Sequence, residues 1–162
     1  MLQAISATMA ALLLLGCGDQ GPTDDQAGAL RGVWRVLLDS TMAPPYSRDS
    51  HCAIFASDGS LVYEIRNYHP EGRPADSLGR LERFLGSFQR RADSLEWSAT
   101  RWLRYSWLQH RTTPIVVDTI VTGIAVSQLD VSDSALTIQG QPAPFRLLAR
   151  DPTRVDLCGP LP

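Results

Sequence analysis

The sequence contains no lysine, although it has 162 residues and 15 basic side chains, all of them arginine. The acidic residues number 17, so the net charge is only −2. A chain so close to neutrality lacks the strongly basic surface that nucleic-acid binding requires. We therefore predict no nucleic-acid partner, and we attribute the missing lysine to genomic base composition rather than to function.

Motifs for catalysis and metal binding are also missing. There is no G-x-S-x-G nucleophile motif, no glycine-rich phosphate loop and no paired histidine spacing. The three histidines stand apart, and Glu64, Glu82 and Glu96 fall on predicted strands, mostly at outward positions where a solvated face explains them. We predict no catalytic residue, no metal site and no cofactor.

Long apolar runs are absent beyond residue 17, where no stretch approaches the roughly 18–20 residues that span a bilayer. The one apolar run, Leu12–Leu15, lies near the N-terminus and is followed by Gly16 and Cys17. Residues 1–16 fit the short apolar core of a secretory signal closed by a small residue, although no basic side chain precedes it. The sequence therefore predicts export, with any membrane attachment at the N-terminus.

The segment from Leu14 to Cys17 resembles the lipobox of bacterial lipoproteins. The resemblance implies cleavage before Cys17, lipidation of its thiol and a lipid-anchored mature protein. Because Gly18 rather than an acidic residue follows the cysteine, it also implies an outer-membrane location facing the periplasm. We divide the chain into a signal peptide at 1–16, a lipidated cysteine and flexible tether at 17–29, and one domain at 30–162. The alternative is an ordinary cleaved signal with an incidental cysteine.

Two cysteines, Cys52 and Cys158, lie in the predicted domain. In an exported protein such a pair indicates a disulfide, which would tie the last strand to an early one. It would close a loop of roughly 100 residues, for which chain entropy gives an upper estimate of about 4–5 kcal/mol. A metal site with His51, or two free thiols, are the alternatives.

Alternating short segments separated by turn residues run from residue 30 to 158. This pattern predicts an all-β fold, an antiparallel up-and-down barrel of about 8–10 strands, with a sandwich as the alternative. We expect the last strand at 153–158 and at most one short helix, within 75–84. The alternation over 115–126 changes phase near Ser127 and Gln128, which predicts a bulge or a break in the strand there.

Gly32 and Trp34 open the first predicted strand. The G-x-W pattern resembles the start of lipocalins and lipocalin-like bacterial domains. The resemblance implies an eight-stranded barrel that holds small apolar molecules inside, with tryptophan plugging its floor. It also implies an arginine stacked on Trp34, a role that Arg146 or Arg154 could fill.

Three of the four tryptophans lie within 97–107, together with Arg101 and Arg104. Such a stretch could line a site for an amphiphile with an anionic head. It could equally be ordinary barrel packing, with arginine stems covering the rings. The candidate ligand-binding residues are Tyr63, Phe88, Trp97, Trp102, Arg104, Tyr105 and Trp107.

These observations favour a lipid-anchored envelope protein whose lipocalin-like barrel binds or carries a small apolar or amphipathic molecule. The alternative is an envelope protein-interaction module, such as an inhibitor or assembly factor, with a filled barrel. A filled interior and an exposed apolar patch at 102–108 would favour that alternative. The sequence leaves the oligomeric state open.

Overall fold

The structure is a computed structural model that describes residues 28–39, 48–68, 78–107, 113–141 and 143–159. The predicted signal peptide, Cys17 and most of the tether lie outside these residues. The strands are β1 (Gly32–Asp39), β2 (Arg48–Phe55), β3 (Ser60–Tyr68), β4 (Leu78–Arg91), β5 (Ser94–Ser106), β6 (Ile115–Val131), β7 (Ala135–Ile138) and β8 (Phe145–Ala149).

Every strand pairs antiparallel with the next one in sequence, and β8 pairs with β1 to close the ring. The predicted all-β, up-and-down architecture is therefore confirmed, with eight strands in a closed barrel rather than a sandwich. Closure is narrow, because β1 pairs with β8 only over 33–35 and β6 pairs with β7 only over 129–131. The first two-thirds of β6 thus has a ladder on one side only among the described residues.

Three local predictions are wrong. Residues 155–158 form a 3-10 helix instead of a strand. The leucines at helical spacing from residue 78 onward belong to the strand β4 instead, and Leu81 and Leu85 lie on the same face of the sheet. β6 runs without a break through Ser127 and Gln128, and its pairing with β5 shifts instead beside Ala99.

An apolar core fills one end of the barrel, which we call the closed end. Trp34 is fully buried there and its indole Nε1 donates to the Leu30 carbonyl at 2.7 Å. Gly32 precedes it with φ +132°, and a Cβ at that position would lie 2.3 Å from the Ala149 carbonyl oxygen. Glycine is required here, because β1 and the end of β8 approach too closely for a side chain. The other large members of this core are Phe55, Phe88, Leu95, Leu136 and Phe145.

The Cys52–Cys158 disulfide is present, with Cα atoms 5.8 Å apart. It does not tie two strands together, because Cys158 lies in the 3-10 helix that covers the outer face of β1 and β2. There it packs in a small apolar cluster with Val33 and Ile54. The disulfide therefore fastens the C-terminal segment to the outside of the barrel, while the hydrogen bonds between β8 and β1 close the ring.

A buried ion cluster anchors the same segment. Glu64, only 1% exposed, accepts hydrogen bonds from the guanidinium groups of Arg66 and Arg83. Arg66 also donates to the Gly159 carbonyl at 3.1 Å. The prediction that Glu64 sits on a solvated face is wrong, since the C-terminal segment turns this part of the outer surface into an interior. Three charged side chains can be buried together here because each is paired and hydrogen-bonded.

Candidate functional site

Aromatic rings line the inner face of β4 and β5. Trp97 and Trp102 are five residues apart on β5, so a regular strand would place them on opposite faces. The pairing of β5 shifts register between Ala99 and Arg101 against β6, and between the opposite residues Leu85 and Gly86 on β4. This bulge returns Trp102 to the inner face, where both tryptophans line one cavity.

Gly86 makes that bulge possible. A Cβ on Gly86 would lie 1.8 Å from the carbonyl oxygen of Ser98, on the facing strand. No side chain fits between the two backbones at this point. The sequence feature that places both tryptophans on one face is thus a glycine on the neighbouring strand, which the alternation pattern of β5 alone does not reveal.

The cavity has a volume of about 430 Å³. Phe84 and Trp102 stack along one wall with ring centres 6.3 Å apart, and Trp97 closes the inner side. The opposite wall is β6, which contributes small residues such as Gly123 and Ala125. Apolar, concave and lined by rings, the cavity has the character of a small-molecule site.

A second cavity of about 150 Å³ lies on the other side of Trp97, toward the closed end. Tyr63 lines it, shares a 2.7 Å hydrogen bond with His51 Nδ1 and donates to Gln141 Oε1 at 3.4 Å. Burial raises the pKa of the Tyr63 hydroxyl. Burial also lowers the pKa of His51, against the opposing charge of Asp49. Both side chains are therefore neutral near pH 7 and act as hydrogen-bonding groups of the wall.

Polar residues replace the apolar core at the other end of the barrel, which we call the open end. Glu82 forms an ion pair with Arg80 and accepts a 3.0 Å hydrogen bond from Trp102 Nε1. The Arg104 guanidinium lies over the Trp102 ring, 5.0 Å from its centre. The prediction that Glu82 faces outward is wrong, because its carboxylate lies at the rim of the aromatic cavity.

The structure sorts the predicted ligand-binding residues into three groups. Trp97, Trp102 and Tyr63 line cavities, and Arg104 lies at the rim. Phe88 instead packs in the closed-end core, edge-on to Phe55 at 4.9 Å. The remaining two, Tyr105 and Trp107, stack on each other and alternate with Arg104, which places them on the outer face. Sequence reasoning missed Phe84 and Arg80, which the β4 alternation brings to the same inner face.

An arginine does stack on Trp34, but it is neither Arg146 nor Arg154. The Arg150 guanidinium lies 5.6 Å from the centre of the Trp34 ring and donates to the carbonyls of Ala29 and Asp133. Arg154 is exposed and paired with Asp156. Arg150 takes this position because the chain turns sharply after β8, which brings the first residue beyond that strand under the barrel floor.

Among the described residues, no group of three His, Cys, Asp or Glu side chains is arranged to hold a metal ion. In the same part of the chain, no helix has the length and apolar character needed to cross a membrane. The chain matches no protein-family model, no curated protein and no solved structure.

Proposed function

We propose that this protein binds or carries a small apolar or amphipathic molecule in the cavity between β4, β5 and β6. The observation that carries the proposal is the cavity itself, about 430 Å³ lined by Phe84, Trp97 and Trp102. Exposing such rings to water is unfavourable, by about 25 cal/mol per Å² of apolar surface, so an apolar ligand gains by covering them. The size matches the lower part of the range of small-molecule sites, roughly 300–1,000 Å³.

The closed end supports a lipocalin-like reading of the barrel. Gly32, Trp34 and Arg150 together seal the floor in the arrangement that the G-x-W resemblance implies. A sealed floor and a lined cavity beneath a polar rim fit a one-ended container for a small molecule. A barrel open at both ends would favour passage of a molecule through it. A fully packed barrel would favour neither storage nor passage.

The proposed place of work is the bacterial cell envelope, with Cys17 lipidated and the barrel facing the periplasm. The disulfide supports an oxidising, exported environment, because such bonds are rare where thiols are kept reduced. Mass spectrometry of the mature protein should find a chain that begins at an acylated Cys17. An unmodified chain with another N-terminus would contradict the anchor but not the ligand.

Solvent extraction of the purified protein, followed by mass spectrometry of the extract, tests ligand binding directly. We expect a co-purified amphiphile in near-equimolar amount. Gly123→Leu is the matched blocking variant, since Gly123 lies on the cavity wall and a Cβ there meets nothing within 4 Å. The leucine should fill the cavity without disturbing a contact, so its extract should be empty. Equal extracts from both proteins would place any ligand elsewhere, and two empty extracts would count against carriage.

The outer face of β6 favours the alternative function, a protein-interaction module. Ile120 and Ile124 are 86% and 73% exposed there, next to an edge that lacks a ladder partner within the described residues. The patch lies on β6 rather than at the predicted 102–108. The alternative also requires a filled interior, and the two cavities disfavour that part. Unchanged ligand content together with partner loss in an Ile120→Asp variant would support it, since Ile120 does not line the cavity.

A further inference from the structure

We infer that the bound molecule carries an anionic head group, which Arg104 binds at the rim while the apolar tail occupies the aromatic cavity. This inference rests on the proposed function and adds the chemical class of the ligand. It starts from one unpaired cation in a position where an unpaired cation is otherwise unfavourable.

Arg104 faces inward and is half-buried, with its guanidinium over Trp102. Within the described part of the chain, the structure gives it no carboxylate within ion-pair distance. Two nearby arginines each have a carboxylate of their own: Arg80 pairs with Glu82, and Arg101 pairs with Asp118 at 2.6 Å. Among the described residues, Arg104 is therefore the arginine at the rim that can pair with an anionic ligand.

Glu82 is the acidic residue opposite Arg104 in the β4–β5 ladder, but both oxygens of its carboxylate have other partners. One oxygen pairs with Arg80 and the other accepts from Trp102 Nε1. That second bond fixes the orientation of the indole, so its face lies open to the Arg104 guanidinium. The Trp102 ring thus holds Arg104 in place at the rim, and no carboxylate among the described residues pairs with its N–H donors.

A neighbouring donor also points to an anionic head group rather than to a purely apolar ligand. Within the described residues, the buried Nε of Arg80 has no hydrogen-bond partner, although another nitrogen of the same guanidinium pairs with Glu82. Buried polar atoms without partners are rare, because each costs about 1–3 kcal/mol. A head group with charged oxygens could accept from Arg80 and Arg104 together.

Three probes with the same alkyl chain separate the contributions: dodecanoate, dodecan-1-ol and dodecyltrimethylammonium. Calorimetric titration at a pH where the carboxylate is ionised should rank the acid first and the cation last. In Arg104→Gln we expect dodecanoate to bind about ten- to a hundredfold more weakly, the size of one charge-assisted contact. Dodecan-1-ol should bind that variant as it binds the wild type.

Arg101→Gln is the matched control, since it removes a guanidinium from the same strand but on the outer, solvated face. It should leave all three affinities unchanged. Equal affinity for acid and alcohol, with no effect of Arg104→Gln, would overturn the inference and keep the proposed function. Failure of all three probes to bind would count against the proposed function itself. Circular dichroism of each variant confirms that the barrel is folded.

Discussion

The closed and open ends of this barrel share strands β1 to β6, yet they bury opposite kinds of residue. At the closed end Trp34 is fully buried, its one polar atom is hydrogen-bonded, and Arg150 covers its face. At the open end Trp102 is only partly buried and lines the cavity. A tryptophan whose contacts are complete stabilises the fold, whereas one that lines a void is available to a ligand.

The difference follows from strand length. The strands β4, β5 and β6 have 14, 13 and 17 residues, whereas β7 and β8 have 4 and 5. β6 extends past β7 and β8, so much of β6 has no ladder partner on that side among the described residues. Strands β1 to β6 all reach the open end, whereas β7 and β8 stop short of it. The barrel is thus filled where all eight strands are present and hollow where β7 and β8 are missing.

Substitution of Trp34 and of Trp102 should give the largest difference in the free energy of unfolding between the two ends. Trp34→Ala removes a fully buried ring from the core and should lower the free energy of unfolding by about 3–5 kcal/mol. Trp102→Ala should lower it by only about 1 kcal/mol, the ordinary effect of a substitution at a partly solvated site. Urea unfolding followed by circular dichroism measures both. Equal losses would mean that the open end is packed like the closed one.

Removal of the disulfide should weaken the fold without altering the cavity. The bond closes a loop of 106 residues on the outer face of the sheet, whereas Phe84 and Trp102 line the cavity on the inner face. We expect Cys52→Ala/Cys158→Ala to lose about 2–5 kcal/mol of stability. Dodecan-1-ol affinity of the folded variant should match that of the wild type. A loss of affinity in the folded variant would show that the C-terminal segment shapes the cavity.

Adding a single methyl group at each end tests the same difference between the closed and the open end. Gly32→Ala places a Cβ against the Ala149 carbonyl in a left-handed backbone conformation, so it should cost about 1–3 kcal/mol. Gly123→Ala is the control at the open end, where the added Cβ meets open space. Thermal unfolding should leave that variant unchanged or slightly stabilised. A Gly123→Ala loss as large as that of Gly32→Ala would contradict the open geometry.

The smallest expected effect is a pH dependence from His51. Burial lowers its pKa in the folded state, so the unfolded chain binds the proton more readily as the pH falls below about 6.5. The stability of the wild type should therefore decrease as the pH falls through that range. In His51→Gln, which keeps a partner for Tyr63, this part of the slope should disappear. A slope that persists would assign it to other groups.

Alternation and turn residues were sufficient to predict the strands, because period-2 patterning and hairpin turns are local properties. They did not reveal which face of β6 is inside. Ile120, Ile124 and Val126 are the apolar set, yet they point outward and are exposed. The inner positions are small because the rings of Trp97 and Trp102 stand opposite them. A hydrophobicity pattern therefore identifies the wrong side where a cavity takes the place of a core.

The candidate site was predictable only in part for a related reason. The tryptophan-rich stretch marked Trp97 and Trp102, but the shared face depends on a bulge that Gly86 permits across the ladder. The arginine over Trp34 depends on the turn after β8, and the burial of Glu64 depends on the C-terminal segment. These are contacts between distant parts of the chain, which no local pattern encodes.

Quenching of tryptophan fluorescence by a bromine-labelled dodecanoic acid tests directly whether the ligand occupies the cavity lined by Trp97 and Trp102, because bromine quenches only rings that it contacts. We predict strong quenching in the wild type and little in Trp97→Phe/Trp102→Phe, which retains Trp34 and Trp107 outside the cavity. Calorimetry on the same samples shows that the probe is bound. Quenching of the same depth in the double variant, with the probe bound, would contradict the account by placing the ligand away from the cavity.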